Sequence, residues 1–148
     1  MSPRQAIQST FTQERTYPAS RDRVFAAWAD PPVKASWFAP DALRYELDFC
    51  VGGQELLHAS HEGGVLQVAS TYHDIVNAER IVYTSSLAFD DRIATVSLTT
   101  VEFHDDGTGT RLILCEQGTF LDGLEQPDWR EQGTSSWLDA LGARVRAT

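Results

Sequence analysis

The sequence predicts an α+β fold in which one curved antiparallel β-sheet wraps around a long C-terminal helix, with two short helices after the first strand. Two observations lead to this prediction. Apolar strand-like segments follow one another between residues 43 and 119, and short turns separate them, as in an antiparallel meander. At Pro127 the hydrophobic period changes to that of an amphipathic helix. A curved sheet and such a helix bury their apolar faces against each other.

The length of the chain favours a single domain. Its 148 residues are close to the commonest domain size. Hydrophobic residues make up 42% of the sequence, which is too apolar for a disordered chain. Residues 1–10 are polar and aperiodic, so we expect a flexible tail there and one domain over residues 11–148.

The charge balance argues against polyanionic partners. The chain has 12 Lys and Arg against 21 Asp and Glu, a formal net charge of −9, which repels nucleic acid and anionic membrane surfaces. No segment is apolar for long enough to span a membrane, and no secretory leader is visible. Cys50 and Cys115 lie in apolar segments and suit reduced core thiols, so we expect a cytoplasmic protein.

The N-terminal elements follow from local signals. Residues 11–17 alternate as a first strand, and Pro18-Ala19-Ser20 then breaks the chain, with Ser20 as a helix N-cap. The apolar residues of the first helix recur at helical spacing: Val24, Phe25 and Trp28. Asp30-Pro31-Pro32 ends this helix, and a second short helix covers residues 33–38 before Pro40.

The strands of the meander are bounded by turn residues. We predict strands at residues 43–50, 54–60, 65–76, 80–89, 93–104 and 111–119. Gly52-Gly53 and Glu62-Gly63-Gly64 are connections of the kind that join antiparallel neighbours. Asp105-Asp106-Gly107-Thr108-Gly109 is a hairpin turn rather than a phosphate loop, because its acidic pair repels phosphate and no Lys follows.

The terminal helix begins at Pro127, with Asp128 at its positive end. Trp137, Leu141 and Val145 fall on one face of it. A helix gripped by a curved sheet leaves space between the two unless large side chains fill it. That space is where we expect a ligand.

Several motifs along the chain resemble a known family. They are Tyr17-Pro18-Ala19-Ser20, Val24 to Pro31, Lys34 to Pro40, Asp48 with Gly52-Gly53, Tyr72 to Thr84, Gly107 to Leu112, and Gly133 to Leu141. Together they resemble the family named after the activator of the heat-shock protein 90 ATPase, in the SRPBCC or START-like helix-grip superfamily. The resemblance implies a helix-grip fold and a cavity for a small hydrophobic or aromatic ligand.

The sequence departs from the family pattern at two positions and in its domain content. Cys50 stands where the family often has Arg, and Thr134 follows Gly133 where the family usually has Trp. Trp137 restores the bulk about one turn later on the same helix face. The chaperone activators carry an additional chaperone-binding domain, whereas we expect one domain here. A chaperone partner is therefore not expected.

Three functional hypotheses follow. The first is a binding protein for a small hydrophobic molecule. The second is a cyclase- or hydratase-type enzyme in which Glu116 or His73 acts as a general acid or base. The third is a chaperone-interacting module. We expect no catalytic residue, cofactor or metal, and the oligomeric state, with a homodimer as one option, stays open.

The candidate ligand-binding residues are aromatic residues and polar residues within apolar segments: Trp37, Phe38, His58, Tyr72, His73, Tyr83, Glu116 and Trp137. Single-residue uncertainty in strand register leaves open which of the polar ones face the cavity. A zinc site at His58 and His61 is not expected, because residues three apart in a strand point to opposite faces.

Overall fold

A computed structural model describes residues 4–146 as seven strands and three helices. In chain order these are β1 (Ala6–Tyr17), α1 (Arg21–Ala29), α2 (Pro31–Phe38), β2 (Arg44–Leu47), β3 (Gln54–His61), β4 (Gly64–Val76), β5 (Arg80–Phe89), β6 (Arg92–Asp106), β7 (Gly109–Leu121) and α3 (Pro127–Arg146). The predicted element order is confirmed.

The strands form one antiparallel sheet in the order β1-β7-β6-β5-β4-β3-β2. From β2 to β7 each strand pairs with its neighbour in sequence, which is the predicted meander, and β1 adds to the free side of β7. The hairpin between β6 and β7 closes with Asp106 opposite Gly109, and Gly107 has a φ of 63°. These residues therefore form the predicted hairpin turn and not a phosphate loop. The sheet curves around α3, and the predicted α+β helix-grip fold is confirmed.

The first strand begins earlier than expected, within the segment 1–10 that was predicted to be a flexible tail. Ala6 to Thr10 belong to β1, and Ala6 pairs with Leu121 at the far end of β7. These residues are mostly exposed, so their sequence lacks the apolar alternation that marks a half-buried strand. Main-chain pairing with the long β7 holds them in the sheet instead. Met1 to Pro3 lie outside the described residues.

The second strand is shorter than expected. It ends at Leu47, and Cys50 lies in the turn that follows, exposed rather than in the core. Gly53 explains the tightness of this turn, because a Cβ atom there would lie 2.1 Å from the carbonyl oxygen of Asp48. The turn is anchored to β4, since the amide of Gly52 donates to the carbonyl of Tyr72 at 2.8 Å.

Helices α1 and α2 meet at Asp30, which ends the first and precedes Pro31 in the second. Ser20 caps α1 as predicted, and its hydroxyl accepts a hydrogen bond from the amide of Arg23 at 3.3 Å. Val24 and Trp28 of α1 are fully buried against the sheet and α3. These two helices close one end of the grip.

Helix α3 lies across the concave face of the sheet. Its C-terminal half buries Leu138, Leu141, Gly142 and Val145. The Tyr17 hydroxyl donates to the carbonyl of Leu138 at 2.8 Å. A Cβ atom on residue 142 would lie 3.1 Å from the Tyr17 ring, so glycine permits the close approach of β1 and α3.

Trp137 differs from its predicted place among the core residues of this helix. It is half-buried and packs edge-on against Trp28 and Phe38, with ring centroids 5.7 and 5.5 Å apart. Its neighbours one helical turn before, Gly133 and Thr134, border an internal cavity as Trp137 does. The helix thus changes from a cavity wall to a packed core near Trp137.

Candidate functional site

A cavity of about 290 Å³ lies between the N-terminal half of α3 and the concave face of the sheet. Its apolar wall combines aliphatic residues of the central strands with aromatic residues of the helices: Leu57, Leu66, Val68, Leu87, Phe38, Trp129 and Trp137. Trp129 is 61% exposed, so this side of the cavity reaches the surface of the protein. The site predicted between helix and sheet is therefore present as a space.

Strand alternation sets the polar wall. Glu55 of β3, Ser70 of β4 and Tyr83 of β5 occupy inward positions and line the cavity. Glu116 of β7 also faces inward and is buried, with 6% of its surface exposed. Because side chains two apart in a strand share a face, each strand brings both apolar and polar groups to the same surface.

Arg130, in the first turn of α3, joins two carboxylates of this wall. Its Nε donates to Glu116 Oε2 at 2.9 Å, and its Nη1 donates to Glu125 Oε1 at 3.3 Å. Its Nη2 donates to Ser97 Oγ at 2.9 Å and to Glu116 Oε1 at 3.3 Å. The side chain of Arg130 is 12% exposed, so these charge-assisted bonds form largely away from water.

Hydroxyl groups of β6 complete this cluster. Thr99 Oγ1 donates to Glu116 Oε1 at 3.2 Å, and Thr95 Oγ1 donates to Glu125 Oε1 at 2.5 Å. Both threonines are buried. Nearby, the hydroxyls of Ser70 and Ser85 lie 2.6 Å apart on the cavity wall. The buried carboxylates thus have the partners that burial of a charge requires.

A second charged cluster lies behind Glu55. Lys34 Nζ of α2 is 2.9 Å from Glu55 Oε2, and both side chains are nearly inaccessible. The hydroxyls of Tyr45 and Tyr72 also donate to this carboxylate. The ammonium group lies 4.6 Å from the ring centroid of Phe38, close enough for a cation–π interaction.

The inward tyrosines are held neutral. Burial, with the neighbouring carboxylates of Glu116 and Glu55, raises the pKa of Tyr83. Burial and the Glu55 carboxylate likewise raise the pKa values of Tyr72 and Tyr45. These phenols are therefore hydrogen-bonding groups at neutral pH, and none of them acts as a base.

Four of the predicted ligand-binding residues line the cavity: Phe38, Tyr83, Glu116 and Trp137. Trp37 lies behind Phe38 and Trp137 in the aromatic cluster, and its Nε1 donates to the carbonyl of Ala27 at 2.9 Å. Tyr72 is fully buried; its hydroxyl donates to Glu55 and its ring packs against Tyr83, and both of these residues line the cavity. These two residues support the wall from behind.

His58 and His73 lie elsewhere, contrary to our expectation. His58 neighbours the inward Leu57 in β3 and so faces the other side of the sheet. His73 is exposed at a β-bulge between Tyr72 and Asp74, and its Nε2 lies 2.7 Å from Thr84 Oγ1. Because Tyr72 takes the inward position, His73 is directed outward and cannot serve as an acid or base in the cavity.

Three charged residues of the site, Arg130, Glu125 and Lys34, were not predicted from the sequence. Arg130 had a detectable signal, because it lies seven residues before Trp137 and therefore on the same side of α3. Lys34 is a single cation in the apolar segment that precedes Trp37-Phe38. A buried lysine is nearly always paired, so this position indicates a carboxylate partner. Glu125 lies in the connection before α3, where no periodic pattern assigns a direction.

Within residues 4–146, no three His, Cys, Asp or Glu side chains come close enough together to hold a metal ion. His61 instead stacks on Phe89, with ring centroids 4.9 Å apart. The absence of zinc from the purified protein stays a prediction. None of the described helices is long and apolar enough to cross a membrane.

Solved structures similar to this chain share its fold over nearly its full length. An uncharacterized protein from Rhizobium leguminosarum is 36% identical, with a TM-score of 0.95, and the match covers 99% of this chain and 100% of that one. Mll3558 from Rhizobium loti is 42% identical, with a TM-score of 0.90 and coverages of 95% and 99%. Ara h 8.0201 is 16% identical, with a TM-score of 0.77 and coverages of 95% and 99%, which shows the fold alone.

No curated protein matches the sequence significantly. The sequence profile of one family, described as activator of Hsp90 ATPase homolog 1-like protein, matches residues 18–146. This range includes the two short helices, the strands that build the cavity and the terminal helix. The chain therefore belongs to the activator of Hsp90 ATPase homolog 1-like family.

Proposed function

We propose that this protein binds a small, largely apolar molecule in the cavity beneath α3. The observation that supports the proposal most strongly is the cavity itself, whose lining combines aliphatic and aromatic side chains with polar side chains that have hydrogen-bond partners. Ligand sites typically combine such apolar surface with a few fixed polar groups. The apolar wall supplies the driving force and the polar wall orients the ligand.

The volume restricts the ligand to a small molecule. About 290 Å³ is near the lower end of the range for drug-sized ligands. A molecule of about two to three fused or linked rings is an appropriate size. We also infer that the protein works in the cytoplasm, since the exposed thiol of Cys50 suits a reducing compartment.

The test uses the neutral fluorescent dye N-phenylnaphthylamine with the wild-type chain and a blocked variant. Gly133 lines the cavity, and a Cβ atom there meets nothing within 4 Å. We expect Gly133→Leu to place a side chain in this space and to weaken dye binding by about tenfold or more. Replacing a helical glycine also favours the helix, so the variant should fold.

The matched control is Gln132→Leu, which adds a similar apolar side chain at an exposed neighbouring position outside the cavity wall. This variant should bind the dye as the wild type does. The urea midpoint of the wild-type protein should rise with dye concentration, because a ligand of the native state stabilises it by mass action. Equal binding by the Gly133→Leu variant, or fluorescence only from partly unfolded protein, would contradict the proposal.

An enzyme of cyclase or hydratase type is the second candidate, because Glu116 and Glu125 meet at one guanidinium on the cavity wall. Glu116 would act as the general acid or base. Three of the four oxygens of these carboxylates already accept bonds from Arg130, Thr99 or Thr95, which favours binding over catalysis.

Mass spectrometry of the compounds released from the protein separates the two candidates. A carrier returns its ligand unchanged after prolonged incubation. A hydratase returns a product that differs by one water, and a cyclase returns an isomer with a changed chromatographic retention. If either change appears and is absent with Glu116→Gln, the enzyme hypothesis replaces the carrier hypothesis.

A further inference from the structure

We propose that the cavity selects molecules whose polar end donates hydrogen bonds or carries a positive charge, and that it rejects carboxylates and other anions. This inference rests on the proposed ligand-binding function and specifies its ligand class. The preferred ligands are apolar amines, alcohols and amides. Fatty acids and aromatic acids of the same size are disfavoured.

The first argument is the sign of the charges on the cavity wall. Among the described residues of the wall, the acids are Glu55, Glu116 and Glu125, and the base is Arg130. Lys34 balances Glu55 from behind. With all five groups ionised, these side chains carry one negative charge in excess. An anionic ligand would add a second negative charge in a region of low dielectric, where repulsion is poorly screened.

The second argument is that Arg130 has no free pair of N–H groups for a ligand anion and that Lys34 is held behind Glu55. All three nitrogens of Arg130 donate to oxygens of this chain, on Glu116, Glu125 and Ser97. Lys34 Nζ is held by Glu55 and lies 3.5 Å from the hydroxyl of Tyr72. Recognition of a carboxylate by the usual bidentate arginine contact would require one of these bonds to break.

The third argument is the character of the remaining polar surface. A carboxylate group has about four lone-pair sites, two on each oxygen, and accepts hydrogen bonds only. Glu116 Oε2 accepts one bond from Arg130, so it has capacity for another donor. The rings of Tyr83, Trp129 and Trp137 also line the cavity, and aromatic faces attract cations. Beside the hydroxyls of Ser70, Ser85 and Tyr83, which can donate or accept, the wall therefore offers carboxylate acceptors and π-faces to a ligand.

The experiment compares three probes that share one skeleton and differ in their polar end: phenylbutylamine, phenylbutanol and phenylbutyrate. Their dissociation constants are measured at pH 7 by displacement of N-phenylnaphthylamine and by calorimetry. We expect the amine to bind at least as tightly as the alcohol. The acid should bind at least about tenfold more weakly than the alcohol.

A pair of variants distinguishes the effect of the cavity charges on ligand preference from the effect of the net negative charge of the whole protein. Glu125→Gln removes one negative charge from the wall and should reduce the preference for amine over acid by about fivefold or more, with little change for the alcohol. Asp128→Asn makes the same change of net charge at an exposed position of α3 outside the wall. It should leave the preference nearly unchanged.

The outcomes distinguish this inference from the proposed function. If the alcohol binds and the acid binds as tightly or more tightly, the charge selectivity is wrong and the ligand-binding function stands. An equal loss of preference in both variants also overturns the inference, because it assigns the selectivity to the whole surface. If the dye and all three probes fail to bind the native protein, the proposed function itself fails.

Discussion

The two halves of α3 differ in what they meet on the sheet. The C-terminal half presents Leu138 and Leu141, which are fully buried against β1 and the aromatic core. The N-terminal half, with Arg130 and Thr134, faces the cavity and its polar wall. One continuous helix therefore belongs to a packed core at one end and to a binding surface at the other.

The difference follows from the side chains that each half presents. Large aliphatic groups and the close contact at Gly142 bring the C-terminal half onto Tyr17 without a gap. In the N-terminal half, Gly133 and Thr134 are too small to reach the opposite strands, and the longer Arg130 is drawn to Glu116 and Glu125. The packed half should determine stability, and the open half should determine ligand choice.

The largest effect should come from removing one charge of the closed Lys34–Glu55 pair. We expect Lys34→Met to lower the free energy of unfolding by about 4 kcal/mol, because it leaves the Glu55 carboxylate buried without a cation. Arg130→Met should cost less, about 2 kcal/mol, because the side chains of Glu116 and Glu125 are 8% and 10% exposed, against 3% for Glu55, and are more readily hydrated. Urea denaturation of both variants measures the difference.

The double variant Lys34→Met/Glu55→Gln serves as the control for this pair. It should recover part of the lost stability, since a neutral amide is less costly to bury than an unpaired carboxylate. Equal losses for Lys34→Met and Arg130→Met would mean that the Lys34–Glu55 pair and the Arg130 cluster are equally closed to water, and the predicted difference between them would then be wrong.

A smaller effect is expected from the same truncation in the two regions. Leu141→Ala should cost about 3 kcal/mol, because Leu141 is fully buried in the packed half and leaves a new cavity. Leu87→Ala should cost about 1.5 kcal/mol, because Leu87 already borders the existing cavity and loses fewer contacts. Urea midpoints at a common m-value give both numbers. A Leu87→Ala loss equal to that of Leu141→Ala would indicate that the cavity closes in solution.

Most of the fold could be predicted from the sequence because it depends on local signals. Proline and glycine positions and the change of period at Pro127 define the element order. The start of β1 could not be found in this way, because Ala6 to Thr10 are held by pairing with β7 rather than by an apolar pattern.

The candidate site was less predictable than the fold. Phe38 and Trp137 could be identified because large aromatic residues on the predicted helices are expected to pack against the sheet or line the space beside it. The face of His73 depends on a one-residue bulge, and strand alternation alone cannot reveal it. The partners of Arg130 come from β6, β7 and the connection before α3, so their meeting depends on the tertiary fold.

The smallest effect on stability at neutral pH is expected from the ionisation of the tyrosines. Their alkaline titration gives another comparison of the packed core and the cavity wall. Burial raises the pKa of Tyr17, which lies in β1 against the packed half of α3, above the ordinary value of 10.0. Burial also raises the pKa of Tyr83 on the cavity wall above this value. A phenol whose pKa is raised in the folded state contributes stability that is fully present below the unfolded pKa and is lost as the pH rises above it. Near neutral pH, the free energy of unfolding of the wild-type protein should therefore not change through ionisation of these phenols.

Above about pH 10 the tyrosines should ionise together with unfolding rather than singly. Tyrosinate absorbance and far-ultraviolet circular dichroism, recorded through the same alkaline titration, should change in one coincident transition. Tyr17→Phe, which removes one phenol from the packed half, should reduce the absorbance change and keep the two transitions coincident. An absorbance step near pH 10 that precedes the loss of circular dichroism, and disappears in Tyr83→Phe, would show that water reaches Tyr83 through the cavity and that the polar wall is more open than its contacts indicate.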